Sequence, residues 1–338
     1  MFHRRRPAPQ SLQHIRLARR VAKRQLVATL GPVHSDLEEF YASVPLPDGH
    51  RGELKVVRPK PLAMQSQAST PGVTIETVPS SPADGGNAGH PLIVLFHGGG
   101  FSNGSVDYMT RPARDFALEF HAVVISATYR LAPEHPFPTP MQDAWDTLVW
   151  LSQHAGEFGA NPIRGFVVGG VSAGGTMAAV CNQLARDRGL TPPLTGAFVS
   201  IPLLLVKEIV PDKYKREWTS MEDNKNNPSL NRDTIQHIIR TLSPDIRSPL
   251  FSPFNSKTPH VGLPPTYVHV GGLDVLRDDG LLYERALRAA GVPTRCDVFP
   301  DLGHAAWTIH ATEYSRPRLG PKMMEAMRWL LGQEGLKD

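Results

Sequence analysis

Three residues in this chain have the types and settings that acyl transfer needs. His97-Gly98-Gly99-Gly100 follows the β-type run Leu92-Ile93-Val94-Leu95-Phe96, and Gly170-Val171-Ser172-Ala173-Gly174 follows Gly165-Phe166-Val167-Val168. Gly-x-Ser-x-Gly between a strand and a helix makes a sharp turn that lifts a serine hydroxyl clear of the backbone. A serine hydroxyl is a poor nucleophile until a base takes its proton, and the base needs an orienting partner. Asp274 directly follows the strand-like run ending at Gly272, and His304 lies just past the run Arg295–Phe299. Serine, acid, histidine is one of the chain orders in which such triads occur. Ser172 is therefore the candidate nucleophile, His304 the base and Asp274 the orienting acid. An aspartate after a strand is also a common helix cap, but Asp278 and Asp279 sit at the following helix start and fit that role better. The backbone N–H groups of Gly98, Gly99 and Ala173 are the candidate donors to a developing oxyanion. His97 and Gly100 support that loop; His97 does so by hydrogen bonding rather than by taking part in the chemistry. This chemistry requires neither cofactor nor metal.

The elements around these residues alternate. Strands are expected near 92–96, 122–127, 165–169, 196–201, 266–270 and 294–299. Helices are expected near 107–120, 140–154, 173–188, 278–291 and 317–332. Alternating strand and helix implies an α/β fold with a mostly parallel sheet and helices on both faces. Upstream, 40–58 reads as two strands around the Pro47-Asp48-Gly49 turn. Residues 59–91, rich in Pro, Ser, Gly and Gln, read as loop with a short strand at Val73–Val78. The stretch 206–248 breaks the rhythm. It is polar, carries Asn224, Asn226 and Asn227, and ends in a helical pattern, Arg232–Leu242, so it reads as a cap inserted between core strands. The expected organisation is N-terminal cap helices at 1–45, core at 46–205, cap insertion at 206–248 and the rest of the core at 249–338.

The 338 residues are 41% hydrophobic and 20% charged, enough to bury a substantial core without disulfide or metal. Cys181 and Cys296 stand in no metal-ligand spacing and read as small buried hydrophobes. The net charge of +4 is concentrated at one end. Residues 1–35 hold Arg4, Arg5, Arg6, Arg16, Arg19, Arg20, Lys23 and Arg24 and no acid, and the rest of the chain is mildly acidic. No nucleic-acid face follows from this. The basic head reads first as an amphipathic cap helix with Ile15, Ala18, Val21 (or Ala22) and Leu26 on one face and arginines on the other. A mitochondrial transit peptide and attachment to an anionic membrane surface are the alternatives. No stretch approaches 18 apolar residues, so a transmembrane segment is not expected, and the expected location is cytoplasmic.

The motifs together resemble the hormone-sensitive-lipase-like branch of the α/β-hydrolases, esterases that include arylacetamide deacetylases and plant carboxylesterases, with a flavour of fungal esterases of secondary metabolism. The matching pieces are His97–Phe101, the run Tyr129-Arg130-Leu131-Ala132-Pro133-Glu134-His135-Pro136-Phe137-Pro138, Gly170–Gly175, Gly262-Leu263-Pro264-Pro265, Asp274–Gly280 and Gly303-His304. The resemblance implies the α/β-hydrolase fold with a helical cap, built from the N-terminal helices and a segment after the middle of the sheet. It implies hydrolysis of small to medium, mainly apolar carboxylic esters through an acyl-serine. The family often has an acid before the nucleophile, where this chain has Val171, and an acid before Tyr129, where this chain has Thr128. The alternatives are acyl transfer or lactone formation and opening on the same triad, and a ligand receptor on the same fold. A small-molecule ester is the expected partner, in a monomer or a homodimer.

Overall fold

The computed structural model describes residues 12–60, 89–304 and 316–335; the expected strand Val73–Val78 and residues 305–315 lie outside them. The chain order is α1 (Leu12–Thr29), β1 (Leu37–Pro45), β2 (Arg51–Pro59), β3 (Leu92–Phe96), α2 (Thr110–Phe120), β4 (Val123–Ala127), α3 (Thr139–His154), β5 (Phe166–Val171), α4 (Ala173–Asp187), β6 (Gly196–Ser200), α5 (Ser220–Asp223), α6 (Arg232–Leu242), β7 (Thr266–Gly271), α7 (Arg277–Ala289), β8 (Thr294–Phe299) and α8 (Arg316–Leu330).

The strands form one eight-stranded sheet in the order β1-β2-β4-β3-β5-β6-β7-β8. The β1–β2 hairpin joins β4 antiparallel, and every other pairing is parallel. Parallel strands are covered on both faces, so their side chains need not alternate. Each residue of β3, β4, β5, β6 and β7 is accordingly buried. Helices α2 and α8 cover one face, with Phe116, Ala326 and Met327 packed on Ile93, Val167 and Phe198. Helices α3, α4 and α7 cover the other, where Leu148, Met177 and Leu287 join Val94, Val168 and Val268. Consecutive strands β3 and β4 lie side by side, and β5 then pairs on the opposite edge of β3. The order reverses there, which opens a crevice beyond the carboxyl ends of β3 and β5. His97 and Ser172 follow those two ends.

Two expectations need correction. The two strands expected over 40–58 are β1 and β2, but β1 starts at Leu37, so the sheet begins inside the 1–45 segment assigned to cap helices. Helix α1 is also rotated from the expected amphipathic face. Leu26 is buried and Ala22, the alternative to Val21, is half-buried, but Ala18 is exposed and Val21 faces outward at 45% exposure. Arg19 and Lys23 turn inward instead. Arg19 donates to Ser102 and Glu134, and Lys23 donates to Glu53 at 3.0 Å. Apolar counting misplaced the face because these two cations have acids waiting for them. Of the cysteines, Cys181 is buried and Cys296 only half-buried against the core. Among the described residues no helix is long and apolar enough to cross a membrane.

Within the insertion, Asn231 caps α6, its side chain accepting from the Thr234 amide at 2.8 Å. Ile235 and Leu242 are buried, and Ile238 and Ile239 pack against the main core.

Candidate active site

Ser172 closes β5 and opens α4 with φ 58° and ψ −119°. This is a left-handed region that a non-glycine residue enters only at a cost of about 1–3 kcal/mol, so the surroundings must hold it there. Its amide donates to Ser200 O at 2.9 Å, and its carbonyl accepts from the Thr176 amide at 2.9 Å. Helix α4 must also approach the end of β3 closely. A Cβ at Gly174 would stand 2.0 Å from Phe96 O, which explains the glycine two places past the serine.

His304 joins the other two residues. Its Nδ1 lies 2.6 Å from Asp274 Oδ2 and its Nε2 lies 2.8 Å from Ser172 Oγ. A carboxylate only accepts, so Nδ1 carries the proton and Nε2 presents a lone pair to the serine O–H. Asp274 is 1% exposed, and its second oxygen accepts from the Leu276 amide at 2.9 Å. One carboxylate therefore orients the histidine and also ties the turn into α7.

Asp278 and Asp279, the expected helix caps, do something else. Asp278 Oδ2 accepts from the amides of Thr219 and Ser220 at 2.7 and 2.6 Å. Asp279 accepts from the amides of Leu204 and Leu205 and from Trp218 Nε1, each at 2.8 Å. Burial pushes the Asp279 carboxyl up to about 7 against those donors. Both residues fasten the chain between β6 and α5 to α7. The insertion also reaches back: Asn224 Nδ2 donates to Asp274 O at 2.9 Å, and Asn227 Nδ2 to Leu273 O at 2.7 Å.

The glycine loop runs beside the serine. A Cβ at Gly98 would stand 2.9 Å from Val171 O and 3.3 Å from Ser172 Cβ. No backbone hydrogen bond among the described residues uses the amides of Gly98, Gly99 or Ala173. Ala173 is the first residue of α4, where an N–H has no partner inside the helix and the helix dipole favours an anion. His97 is fully buried and anchors the loop. Its Nδ1 lies 2.7 Å from Gly98 O, its Nε2 2.8 Å from Thr128 Oγ1, and its ring stacks on Tyr129 at 4.5 Å. The carbonyl only accepts, so Nδ1 donates and the Thr128 hydroxyl donates to Nε2. Tyr129 OH in turn donates to His97 O at 2.9 Å. Burial holds the His97 pKa down at about 4, against the bond to Gly98 O, which raises it.

Ser172, His304 and the loop glycines line one cavity of about 920 Å³. Its apolar lining includes Leu26, Leu30, Leu95, Phe116, Val171, Phe198, Ile238, Leu319 and Met323, and its polar lining includes Tyr108, Arg111, Arg114, Asp115, Thr234 and His237. A Cβ at Gly100 would stand 2.8 Å from Ile238 Cδ1, so α6 sits directly on that glycine. The sequence marked Ser172, Asp274, His304 and the glycines. It did not mark the cavity walls, because Leu95, Val171 and Phe198 read like any buried strand residues.

The sequence profile of the alpha/beta hydrolase fold family matches residues 93–308. Esterase LipI of Mycobacterium tuberculosis is 37% identical over 246 residues, covering 71% of each chain. The versiconal hemiacetal acetate esterase of Dothistroma septosporum is 31% identical over 247 residues, covering 72% of this chain and 75% of its own. Among solved structures, vibralactone cyclase superposes with a TM-score of 0.80 at 27% identity, over 98% of this chain and 92% of its own. A bacterial heroin esterase superposes with a TM-score of 0.75 at 28% identity, over 94% and 92%.

Two outcomes follow from this geometry. Asp274→Asn removes the acceptor that fixes the His304 tautomer, and kcat is expected to fall by roughly 10³–10⁴ with the melting temperature nearly unchanged. Asp278→Asn and Asp279→Asn are expected to lower stability and leave kcat of the folded fraction close to wild type. Parallel kinetics and thermal melts separate the two classes, and equal losses of kcat at all three positions would remove Asp274 from the role. The second outcome concerns pH. Buried His97 titrates at about 4 in the folded chain and at about 6.5 in the unfolded chain. The unfolded state binds the extra proton, so this contribution to stability is complete above about pH 6.5 and is lost as pH falls towards 4. Between pH 7 and pH 5 the loss is about 2 kcal/mol. Denaturant melts of wild type and His97→Gln at both pH values should show the variant losing less by that amount. An identical pH loss in the two proteins would mean that the folded chain does not depress the His97 pKa below its unfolded value.

Proposed function

The chain belongs to the alpha/beta hydrolase fold family and is a carboxylic ester hydrolase, and we propose that Ser172, His304 and Asp274 are its nucleophile, general base and orienting acid. In this reading Ser172 Oγ attacks the ester carbonyl carbon while His304 Nε2 takes the hydroxyl proton. The carbonyl oxygen becomes an oxyanion, stabilised by the amides of Gly98, Gly99 and Ala173. His304 then gives the proton to the departing alkoxide, which leaves as the alcohol, and the acyl group remains on Ser172. A water, deprotonated by the same His304, attacks the acyl-serine and releases the acid. Asp274 accepts from His304 Nδ1 throughout and stabilises the imidazolium. The observation that carries this reading is the single imidazole bonded at 2.8 Å to Ser172 Oγ and at 2.6 Å to Asp274 Oδ2.

The cavity argues for the substrate class. Its volume of about 920 Å³ suits a ligand of drug-like size, and apolar side chains such as Leu95, Phe116, Val171, Phe198 and Ile238 make most of its lining, with Arg111, Arg114 and Asp115 among the polar remainder. Small to medium, mainly apolar esters are therefore the proposed substrates. Helix α1 and the 206–248 insertion both contribute to the lining, which supports their assignment as a cap over the crevice. The similarity to vibralactone cyclase, almost end to end, favours a second reading on the same acyl-serine. There a hydroxyl of the substrate itself takes the place of water and closes a lactone.

A fluorophosphonate and an ester panel test the proposal. Stoichiometric labelling is expected at Ser172 alone, with both labelling and turnover abolished in Ser172→Ala. Labelling at another serine, or an active Ser172→Ala, would overturn the assignment. Hydroxy-ester substrates that yield mainly lactone rather than hydroxy acid would favour the second reading.

A further inference from the structure

We propose that Arg19, on the cap helix α1, is a positioning residue for ester cleavage: its guanidinium pins the loop that presents the Gly98 and Gly99 amides, so that docking of α1 and completion of the oxyanion site are one event. The inference rests on the assignment of those amides made above.

The loop after β3 is strained. Gly99, Gly100 and Phe101 follow one another at φ 118°, 58° and 57°. Glycine tolerates such angles, but Phe101 does not, and a run of this kind persists only when bonds from outside over-determine it. The loop supplies some bonds itself. The amides of Ser102 and Asn103 both donate to Gly99 O, at 3.1 and 2.9 Å. Those bonds set the plane of the Gly99–Gly100 peptide, provided that Ser102 is fixed, and so hold the far side of Gly99, whose own amide lies in the Gly98–Gly99 peptide that His97 Nδ1 ties through Gly98 O at 2.7 Å.

Arg19 fixes it. Nε donates to Ser102 O at 2.8 Å. Nη2 donates to Ala132 O at 2.6 Å, and the amide of that same Ala132 donates to Phe101 O at 2.9 Å. Nη1 donates to both oxygens of Glu134, at 2.9 and 3.1 Å. The side chains of Arg19 and Glu134 are 15% and 10% exposed, so neither charge is left to water. A planar fork with donors on three sides is what bridges two carbonyls and a carboxylate at once, and a lysine ammonium does not have that reach. One side chain thus joins α1, the glycine loop and the loop that follows Tyr129.

The role predicts a particular kinetic pattern. Arg19→Lys keeps a cation near Glu134 but cannot hold Ser102 O and Ala132 O together. On a short chromogenic ester, kcat is expected to fall about tenfold to a hundredfold, less than the loss of a whole oxyanion donor. KM should stay within about threefold and the melting temperature close to wild type, and the rate of fluorophosphonate inactivation should fall with kcat. Arg19→Ala should show the same kcat loss with added loss of stability. Wild-type kcat in Arg19→Lys would overturn the proposal, as it would make the arginine a charge anchor only. A rise in KM at unchanged kcat would also overturn it, reducing α1 to a wall of the cavity. A wild-type protein that fluorophosphonate does not label at Ser172 would instead defeat the underlying assignment, and that result is read separately.

Discussion

A serine held at φ 58° between the central strand β5 and helix α4 is the constraint on which the rest of the structure depends. The conformation is unfavourable in isolation. It survives because β5 is buried between β3 and β6, because α4 packs into the sheet behind it, and because Ser200 O accepts the serine amide. The glycines at 170 and 174 follow from the same requirement, since a side chain at either would collide with backbone. With the elbow fixed, Ser172 Oγ stands at the carboxyl end of the sheet. The partners need only arrive at neighbouring strand ends, Asp274 after β7 and His304 after β8.

What lies over the crevice is held differently. Apolar contact alone gives a helix no unique position. Here α1 and the 206–248 segment are fastened by polar groups placed beneath them. Asp278 and Asp279 take four backbone amides and an indole N–H from the chain on either side of residue 210. Asn224 and Asn227 return bonds to the loop carrying Asp274. On the other side, Lys55 of the edge hairpin is buried against Asp107 at 3.1 Å and Glu39 at 3.3 Å, and Tyr41 OH donates to the same Asp107 at 2.7 Å. Lys23 of α1 reaches this cluster at 3.5 Å. Buried charges are tolerable only when paired and hydrogen-bonded, so each of these residues specifies one position for the segment that it holds.

Much of this was legible in the sequence because it is local. Buried parallel strands such as Leu92–Phe96 are continuous apolar runs, and the elbow and glycine loop are contiguous motifs. The order of Ser172, Asp274 and His304 along the chain then follows from strand order. The rest depends on partners far apart in the chain. Arg19 and Lys23 look like solvent-facing cations until Glu134, Glu53 and Asp107 are placed beneath them. Asp279 looks like an ordinary acid in the first turn of a helix, yet its partners lie at Leu204, Leu205 and Trp218. Val171 and Thr128, where related sequences often carry acids, become interpretable only in three dimensions. Val171 lines the cavity, and the Thr128 hydroxyl is what His97 Nε2 accepts from.

The central claim is that the ester's acyl group passes through Ser172. Rapid acid quench of the enzyme during turnover of a slow ester, followed by peptide mass analysis, tests it most directly. The account requires the peptide containing Ser172 to gain the mass of the acyl group, with the adduct disappearing as substrate is exhausted. Full turnover with no acyl adduct on that peptide, or with the adduct on another residue, would contradict it.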